Sequence, residues 1–186
     1  MNTRTHGSED ALAAIPCRSL TSKPGARVLI GGLGMGFTLA SALQYLGADA
    51  EAVVAELVPG VIEWNKGALG AKSGFPLSDA RTQVVNQDVA ELLKAEAAGF
   101  DAIMLDVDNG PEGLTQKSNN WLYSPAGLEA CARALRPKGT LAVWSASADR
   151  AFSQRLSKAG FKAREEQVYA HGNTGTRHTI WIAQRK

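Results

Sequence analysis

Three acidic side chains and a run of glycines stand where parallel β-strands are predicted to end. Residues 31–36 read Gly-Gly-Leu-Gly-Met-Gly and begin where the predicted strand Arg27–Gly31 ends. Glu56, Asp88 and Asp106 come at or just after the ends of the next three predicted strands. Because the carboxyl ends of parallel strands meet at one edge of a sheet, we expect these groups to lie together and to bind a nucleoside.

Each group suits one part of such a ligand. The glycines expected to let the backbone approach the nucleoside are Gly32, Gly34 and Gly36. The Glu56 carboxylate can accept hydrogen bonds from both ribose hydroxyls, and Asp88 can accept one from the adenine amine, with the Val89 backbone against the ring. Two structural alternatives remain open, because Glu56 could cap the next helix and Asp88 is expected to cap one in either case.

Asp106 is predicted to lie nearest the reacting centre of the ligand. A carboxylate there can attract a cationic sulfonium and can hold an incoming amine or remove its proton. Asp108 and Asn109 follow, and their oxygens raise a magnesium site as an alternative. With no third ligand evident, a turn made by Asp-Asn-Gly is favoured and no metal is expected.

The loop after Asp106 is long enough to cover the pocket as a lid. The whole loop runs from Val107 to Tyr123, the expected lid is its part from Pro111 to Tyr123, and Trp121 and Tyr123 could form a wall of the pocket. The alternative is that both rings anchor the loop to the core. For His171 and His178, near the last turn, surface or packing roles are favoured because no catalytic partner is evident.

The elements that would position these residues alternate between strand and helix. The predicted strands are 27–31, 51–56, 82–86, 101–106, 140–144, 162–169 and 177–184. The predicted helices are 8–15 with a Ser8 cap, 37–46, one from Pro59, 89–98, 124–135 and 149–159, with loops at 16–25 and 67–79 and a turn at 136–139.

This order predicts an α/β fold: a Rossmann-like, doubly wound, seven-stranded sheet with helices on both faces. The sheet is mostly parallel, and no helix separates the last two strands, so they form an antiparallel C-terminal hairpin. That arrangement is typical of the AdoMet-dependent methyltransferase-like fold. A nicotinamide-binding sheet would usually end in a parallel strand, and Phe37 replaces the third glycine of G-x-G-x-x-G.

Length and composition are those of a globular domain. The 186 residues suit one domain, 1–186, with residues 1–25 as an N-terminal segment. A net charge of +2 with scattered cations gives no sign of a nucleic-acid partner, and no apolar run would span a membrane. Cys17 and Cys131 lack metal-type spacing and are expected to be buried thiols. A cytoplasmic protein is therefore expected.

Taken in order, these segments resemble the spermidine synthase (polyamine aminopropyltransferase) family. The resemblance covers nearly the whole chain from about His6 and is carried by residues 27–36, Val54-Ala-Glu-Leu-Val58, 79–85, Asp88, Phe100–Asp106 and the unit 123–144. It implies AdoMet or decarboxylated AdoMet as the donor, with Glu56, Leu57, Asp88 and Val89 around the nucleoside.

The same resemblance implies catalysis by Asp106, with Asp108 as a second acid after the strand. His6 and Glu9 would face the acceptor, because His6-Gly-Ser-Glu-Asp10 falls where the family has a Tyr-Gln-Glu segment. The acceptor would be a small molecule such as a polyamine. A homodimer is a candidate assembly, although we expect the family's N-terminal β-strand domain to be absent.

Two departures from the family pattern keep other functions open. Met35 stands where the family has an acid that binds the amino tail of the donor, and Ser8 and Glu9 replace a Tyr and a Gln. The leading hypothesis is a spermidine-synthase-like transferase acting on an amine. A small-molecule methyltransferase and a non-catalytic nucleoside-binding protein are the alternatives.

Overall fold

Seven strands form one sheet in the computed structural model, which describes residues 6–107, 110–111, 121–171 and 174–186. The strands are β1 (Arg27–Gly31), β2 (Glu51–Ala55), β3 (Thr82–Val85), β4 (Phe100–Leu105), β5 (Leu135–Ser145), β6 (Phe161–His171) and β7 (Thr174–Arg185). Their order is β3-β2-β1-β4-β5-β7-β6, with β7 antiparallel to both neighbours. The predicted α/β methyltransferase-like fold is therefore confirmed.

Helices cover both faces of this sheet. They are α1 (Gly7–Cys17), α2 (Phe37–Tyr45), α3 (Pro59–Lys66), α4 (Gly70–Ser73), α5 (Val89–Ala95), α6 (Pro125–Ala134) and α7 (Arg150–Lys158). Alternate residues of β1 point to opposite faces, as the pleat requires: Leu29 packs on the side of α5 and α6, whereas Val28 and Ile30 pack on the side of α1 and α2. Cys17 and Cys131 are free and buried, one on each side, as expected.

Strand register brings the predicted functional residues together at the side of the sheet where the parallel strands have their carboxyl ends. Gly31 is level with Ala55 on one side and with Leu105 on the other, and Ala55 is level with Val85. The next residue of each strand therefore extends past the same edge. Backbone hydrogen bonds continue the ladder there, from Glu56 N to the Val85 carbonyl and from Asp106 N to the Gly31 carbonyl.

The first helix differs from its prediction at both ends. Ser8 does not cap it, because His6 precedes the helix and the Ser8 hydroxyl donates to the Glu9 side chain instead. The helix also continues through Pro16 to Cys17, which the sequence placed in a loop. Pro16 stands in the last turn, and both residues are buried.

Two other segments contain more structure than predicted. The predicted loop 67–79 includes α4 and a 3₁₀ turn, Pro76–Ser78. The predicted turn 136–139 lies inside β5, where the register against β4 is irregular between Phe100 and Ala102 and Lys138 has φ of 65°. A turn-like sequence is thus accommodated as a bulge in the strand. In the described part of the chain, no helix is long and apolar enough to cross a membrane.

Candidate functional site

A cavity of about 260 Å³ opens at the carboxyl ends of β1, β2 and β4. Between β1 and β4 the strand order reverses, which is where ligands bind in open α/β sheets. Seven of the predicted site residues meet in its lining, which comprises Gly32, Gly34, Ala55, Glu56, Leu57, Val58, Gln87, Asp88, Val89, Asp106 and Val107.

The glycine loop forms one wall of the cavity, and its shape requires glycine. Gly32 has φ of 90°, and a Cβ there would lie 2.6 Å from the Asp106 carbonyl oxygen. Gly36 does not line the cavity; it precedes α2 with φ of 80° and packs behind the loop against Ser73 and Asn65. Asn65 also donates to the Gly34 carbonyl over 2.9 Å, so the loop is held from behind by α3.

Glu56 is buried and ties the glycine loop to the turn after β2. One carboxylate oxygen accepts the Leu33 N–H over 3.0 Å, and the other accepts the Val58 N–H over 2.8 Å. Each oxygen of an ionised carboxylate has two acceptor positions, so acceptor capacity remains for ligand hydroxyls. The structural alternative is thus partly correct, because Glu56 does bond the backbone that leads into α3.

Asp88 lies at the start of α5 and caps it, as expected in either interpretation. Its Oδ1 accepts the Ala90 N–H over 2.8 Å, which leaves the second oxygen of the carboxylate for another donor. Asn86, which sequence reasoning did not single out, donates to the Glu56 carbonyl over 2.7 Å and so fixes the turn between β2 and α3.

Asp106 stands at the end of β4 and faces the side of the sheet covered by α1 and α2. Its Oδ2 accepts a hydrogen bond from the Thr38 hydroxyl over 3.2 Å. Burial and the negative charge of Glu9 raise the pKa of Asp106 to about 7, against the opposing effect of the Thr38 hydrogen bond. A carboxylate with that pKa can accept a proton near neutral pH.

The residues predicted to face the acceptor are divided between two places. Glu9, on α1, is buried, and its carboxylate accepts a hydrogen bond from the Ser8 hydroxyl over 2.6 Å. Its negative charge contributes to the raised pKa of Asp106. His6 does not line the cavity that holds Glu56, Asp88 and Asp106; its ring stacks on Phe37 with the centroids 4.0 Å apart.

Trp121 and Tyr123 act as anchors among the described contacts. The Lys94 ammonium lies 4.6 Å from the centroid of the Trp121 ring, and Trp121 packs on the core. Tyr123 is buried and donates its hydroxyl to the Val107 carbonyl over 2.9 Å. The anchoring alternative therefore describes both rings, whereas Asp108, Asn109 and the middle of the loop lie outside the described residues.

The sequence favours a surface or packing role for His178, and part of its environment in the structure agrees. Its ring lies edge-on to Trp144 with the centroids 4.8 Å apart. However, Nδ1 also lies 2.9 Å from the Ser8 hydroxyl oxygen, which joins His178 to Glu9. In the described ranges, no group of three or more His, Cys, Asp and Glu side chains could hold a metal ion.

Sequence comparison decides the family. A sequence model described as the spermine/spermidine synthase domain matches residues 7–159, which include the cavity residues and Glu9. The chain belongs to this family. His178 lies beyond the matched residues, and no curated protein sequence matches the chain.

Solved structures with a similar fold include two spermidine synthases. One is a spermidine synthase in complex with the transition state analogue AdoDATO (23% identity, TM-score 0.73, 96% of this chain and 58% of that chain covered). The other is the spermidine synthase from Thermotoga maritima (23% identity, TM-score 0.74, 96% of this chain and 59% of that chain covered). This chain thus spans under two thirds of the length of either.

Proposed function

We propose that this family member is a transferase that moves an aminopropyl group from decarboxylated AdoMet to a small aliphatic amine, such as a diamine. The observation that carries the proposal is the meeting of Glu56, Asp88 and Asp106 around one cavity at the reversal of strand order. Family membership, and the similarity of fold to a spermidine synthase in complex with AdoDATO, support the same reaction.

In the proposed reaction the chain's own residues bind the donor and remove one proton. Glu56 accepts the ribose hydroxyls, and Asp88 accepts the adenine amine while capping α5. Asp106 takes a proton from the acceptor ammonium, and the freed nitrogen pair attacks the propyl carbon next to sulfur. The carbon–sulfur bond breaks, its electrons stay on sulfur, and methylthioadenosine leaves.

A second function, methyl transfer from intact AdoMet, is favoured by one observation. Residues 31–36 carry no acidic side chain that would hold a donor ammonium and repel a donor carboxylate. That loop therefore does not select against the carboxylate of AdoMet by charge.

Calorimetric titration with decarboxylated AdoMet, AdoMet, methylthioadenosine and S-adenosylhomocysteine separates the two functions. Tighter binding of decarboxylated AdoMet and methylthioadenosine is expected, whereas the reverse order would favour methyl transfer. Asp88→Asn keeps an oxygen to cap α5 but presents an N–H to the adenine amine, so we expect donor affinity to fall by about tenfold or more.

The exposed acid Glu63, whose partner is Lys66 on the surface of α3, provides the control. Glu63→Ala should leave the affinity for the donor unchanged. Binding of none of the four ligands by the unmodified protein would contradict the proposal, as would equal affinities in the two variants.

A further inference from the structure

Ser8 joins two ionisable side chains that come from opposite ends of the chain. Its hydroxyl oxygen lies 2.6 Å from Glu9 Oε2 and 2.9 Å from His178 Nδ1. Ser8 and Glu9 are buried where α1 packs on the sheet, and His178 is half-buried on β7. Ser8 thus links the side chains of Glu9 and His178 through two hydrogen-bond contacts.

The directions of the two hydrogen bonds follow from the single proton of the serine. Ser8 donates to Glu9, so the second contact needs a proton on His178 Nδ1. Burial lowers the pKa of His178, more than the charge of Glu9 raises it, so the imidazole is neutral at neutral pH. We therefore assign His178 the tautomer with hydrogen on Nδ1.

The same group of side chains interacts with the proposed proton acceptor, Asp106. The Glu9 carboxylate interacts electrostatically with both Asp106 and His178. Thr38 donates to Asp106 from α2, and Trp144 packs edge-on against the His178 ring from β5. The ring is thus fixed on one side by packing and on the other by Ser8.

We propose that His178 and Ser8 are positioning residues for the acceptor amine: they fix the Glu9 carboxylate in the orientation in which it interacts with Asp106. The site then presents two carboxylates, one to bind the ammonium of the acceptor and one to take its proton. This role rests on the proposed transferase function. It extends the site to β7, beyond the residues that the family model matches.

The hydrogen-bond chain is tested first by ¹⁵N NMR of the histidine side chains. We expect His178 to show hydrogen on Nδ1 in the unmodified protein and to shift to the Nε2 tautomer in Ser8→Ala. A His178 that carries its hydrogen on Nε2 in the unmodified protein would overturn the assignment. This measurement needs no turnover. It therefore tests the hydrogen bonds between His178, Ser8 and Glu9 even if the protein does not catalyse the proposed reaction.

The functional role is tested by amine kinetics in Ser8→Ala, His178→Phe and His178→Asn. Phenylalanine keeps a ring against Trp144 without a donor, whereas asparagine can donate from the position of Nδ1. We expect KM for the diamine to rise about fivefold or more in Ser8→Ala and His178→Phe, because the Glu9 carboxylate is no longer held. In His178→Asn, KM should return toward the value of the unmodified protein. The affinity for the donor should be unchanged in all three variants. An unchanged KM, or an equal loss of donor affinity, would contradict the role.

Discussion

At the scale of single residues, the proposed reaction requires Asp106 to be ionised in surroundings that oppose its negative charge. Burial and the charge of Glu9 raise its pKa to about 7, whereas the hydrogen bond from the Thr38 hydroxyl favours the ionised form. The same environment makes the carboxylate a stronger base than an exposed aspartate. Two measurable consequences follow from this balance.

The first consequence is a rise of turnover with pH. The ionised fraction of Asp106 increases from pH 6 to pH 8, so we expect kcat to increase with an apparent pKa near 7. In Glu9→Gln the repulsion between the Glu9 and Asp106 carboxylates is removed, so the midpoint of the rise in kcat should move to lower pH. A pH–rate profile of both proteins measures this, and a midpoint that stays in place would contradict the interaction with Glu9.

The second consequence concerns stability. A carboxyl whose pKa is raised in the folded state favours folding at low pH, and this contribution is lost as the pH rises through about 7. Asp106→Asn removes the charge from this position while keeping an acceptor for Thr38. It should stabilise the protein on the order of 2 kcal/mol at pH 8, with a smaller gain toward pH 4.

Thermal unfolding of both proteins across this pH range provides the measurement. A difference in Tm that does not change with pH would show that the pKa of Asp106 is not raised. Loss of turnover in Asp106→Asn, together with its greater stability, would separate the catalytic effect from misfolding.

At the scale of elements, the turn from β1 into α2 depends on glycines that are not interchangeable with alanine. Gly36 has φ of 80°, and a Cβ there would lie 2.9 Å from the Ser73 hydroxyl and 3.1 Å from Asn65 Oδ1. Gly36→Ala should therefore cost about 1–3 kcal/mol. It should also weaken donor binding, because the same turn carries Gly32 and Gly34.

A second glycine in the same region gives the matched control. Gly60 lies in the first turn of α3, and no atom lies within 4 Å of a Cβ built there. Gly60→Ala should stabilise the protein by about 0.4–1 kcal/mol. Chemical denaturation measures both changes, and similar effects of the two substitutions would contradict the account of the turn.

The elements that line the candidate site could be predicted because each signal is local. An apolar run that ends in an acid marks the end of β2 and of β4, and Asp88 before an apolar helix marks a cap. Strand register then brings those ends to one edge. The sequence did not reveal Thr38 and Asn65, because their roles depend on how the helices pack on that edge.

His178 could not be predicted from the sequence for a different reason. Its bond to Ser8 joins residues 170 positions apart and exists only because α1 packs on the C-terminal hairpin. Ser8 was expected to be a helix cap, since serine before two acids is a common helix start. The side chain instead bonds within the buried polar group, a choice that only the tertiary structure determines.

At the scale of the whole molecule, the carboxyl ends of the parallel strands line the cavity, and the opposite ends carry a cluster of charged side chains. Asp101, at the start of β4 and away from the cavity, is buried and accepts hydrogen bonds from Lys23, the Arg27 backbone and Arg136. These contacts join the segment before β1, β4 and β5 at the edge opposite the glycine loop. We therefore expect this cluster to support stability rather than ligand binding.

Removal of the Asp101 carboxylate tests this division. Asp101→Ala leaves two cations and a backbone N–H without their shared acceptor, and should cost about 3 kcal/mol while leaving donor affinity unchanged. In the control Glu166→Ala, an exposed pair with Arg164 is lost, and the change should stay within about 1 kcal/mol. A large loss of donor affinity in the Asp101 variant would contradict the separation.

The central claim is that the family member transfers an aminopropyl group, and product identification tests it most directly. The protein is incubated with a diamine and either decarboxylated AdoMet or AdoMet, and the nucleoside product is identified by mass spectrometry. We expect methylthioadenosine and an aminopropylated amine from decarboxylated AdoMet, and we expect both products to be lost in Asp106→Asn. Formation of S-adenosylhomocysteine from AdoMet, with no methylthioadenosine from the decarboxylated donor, would contradict it.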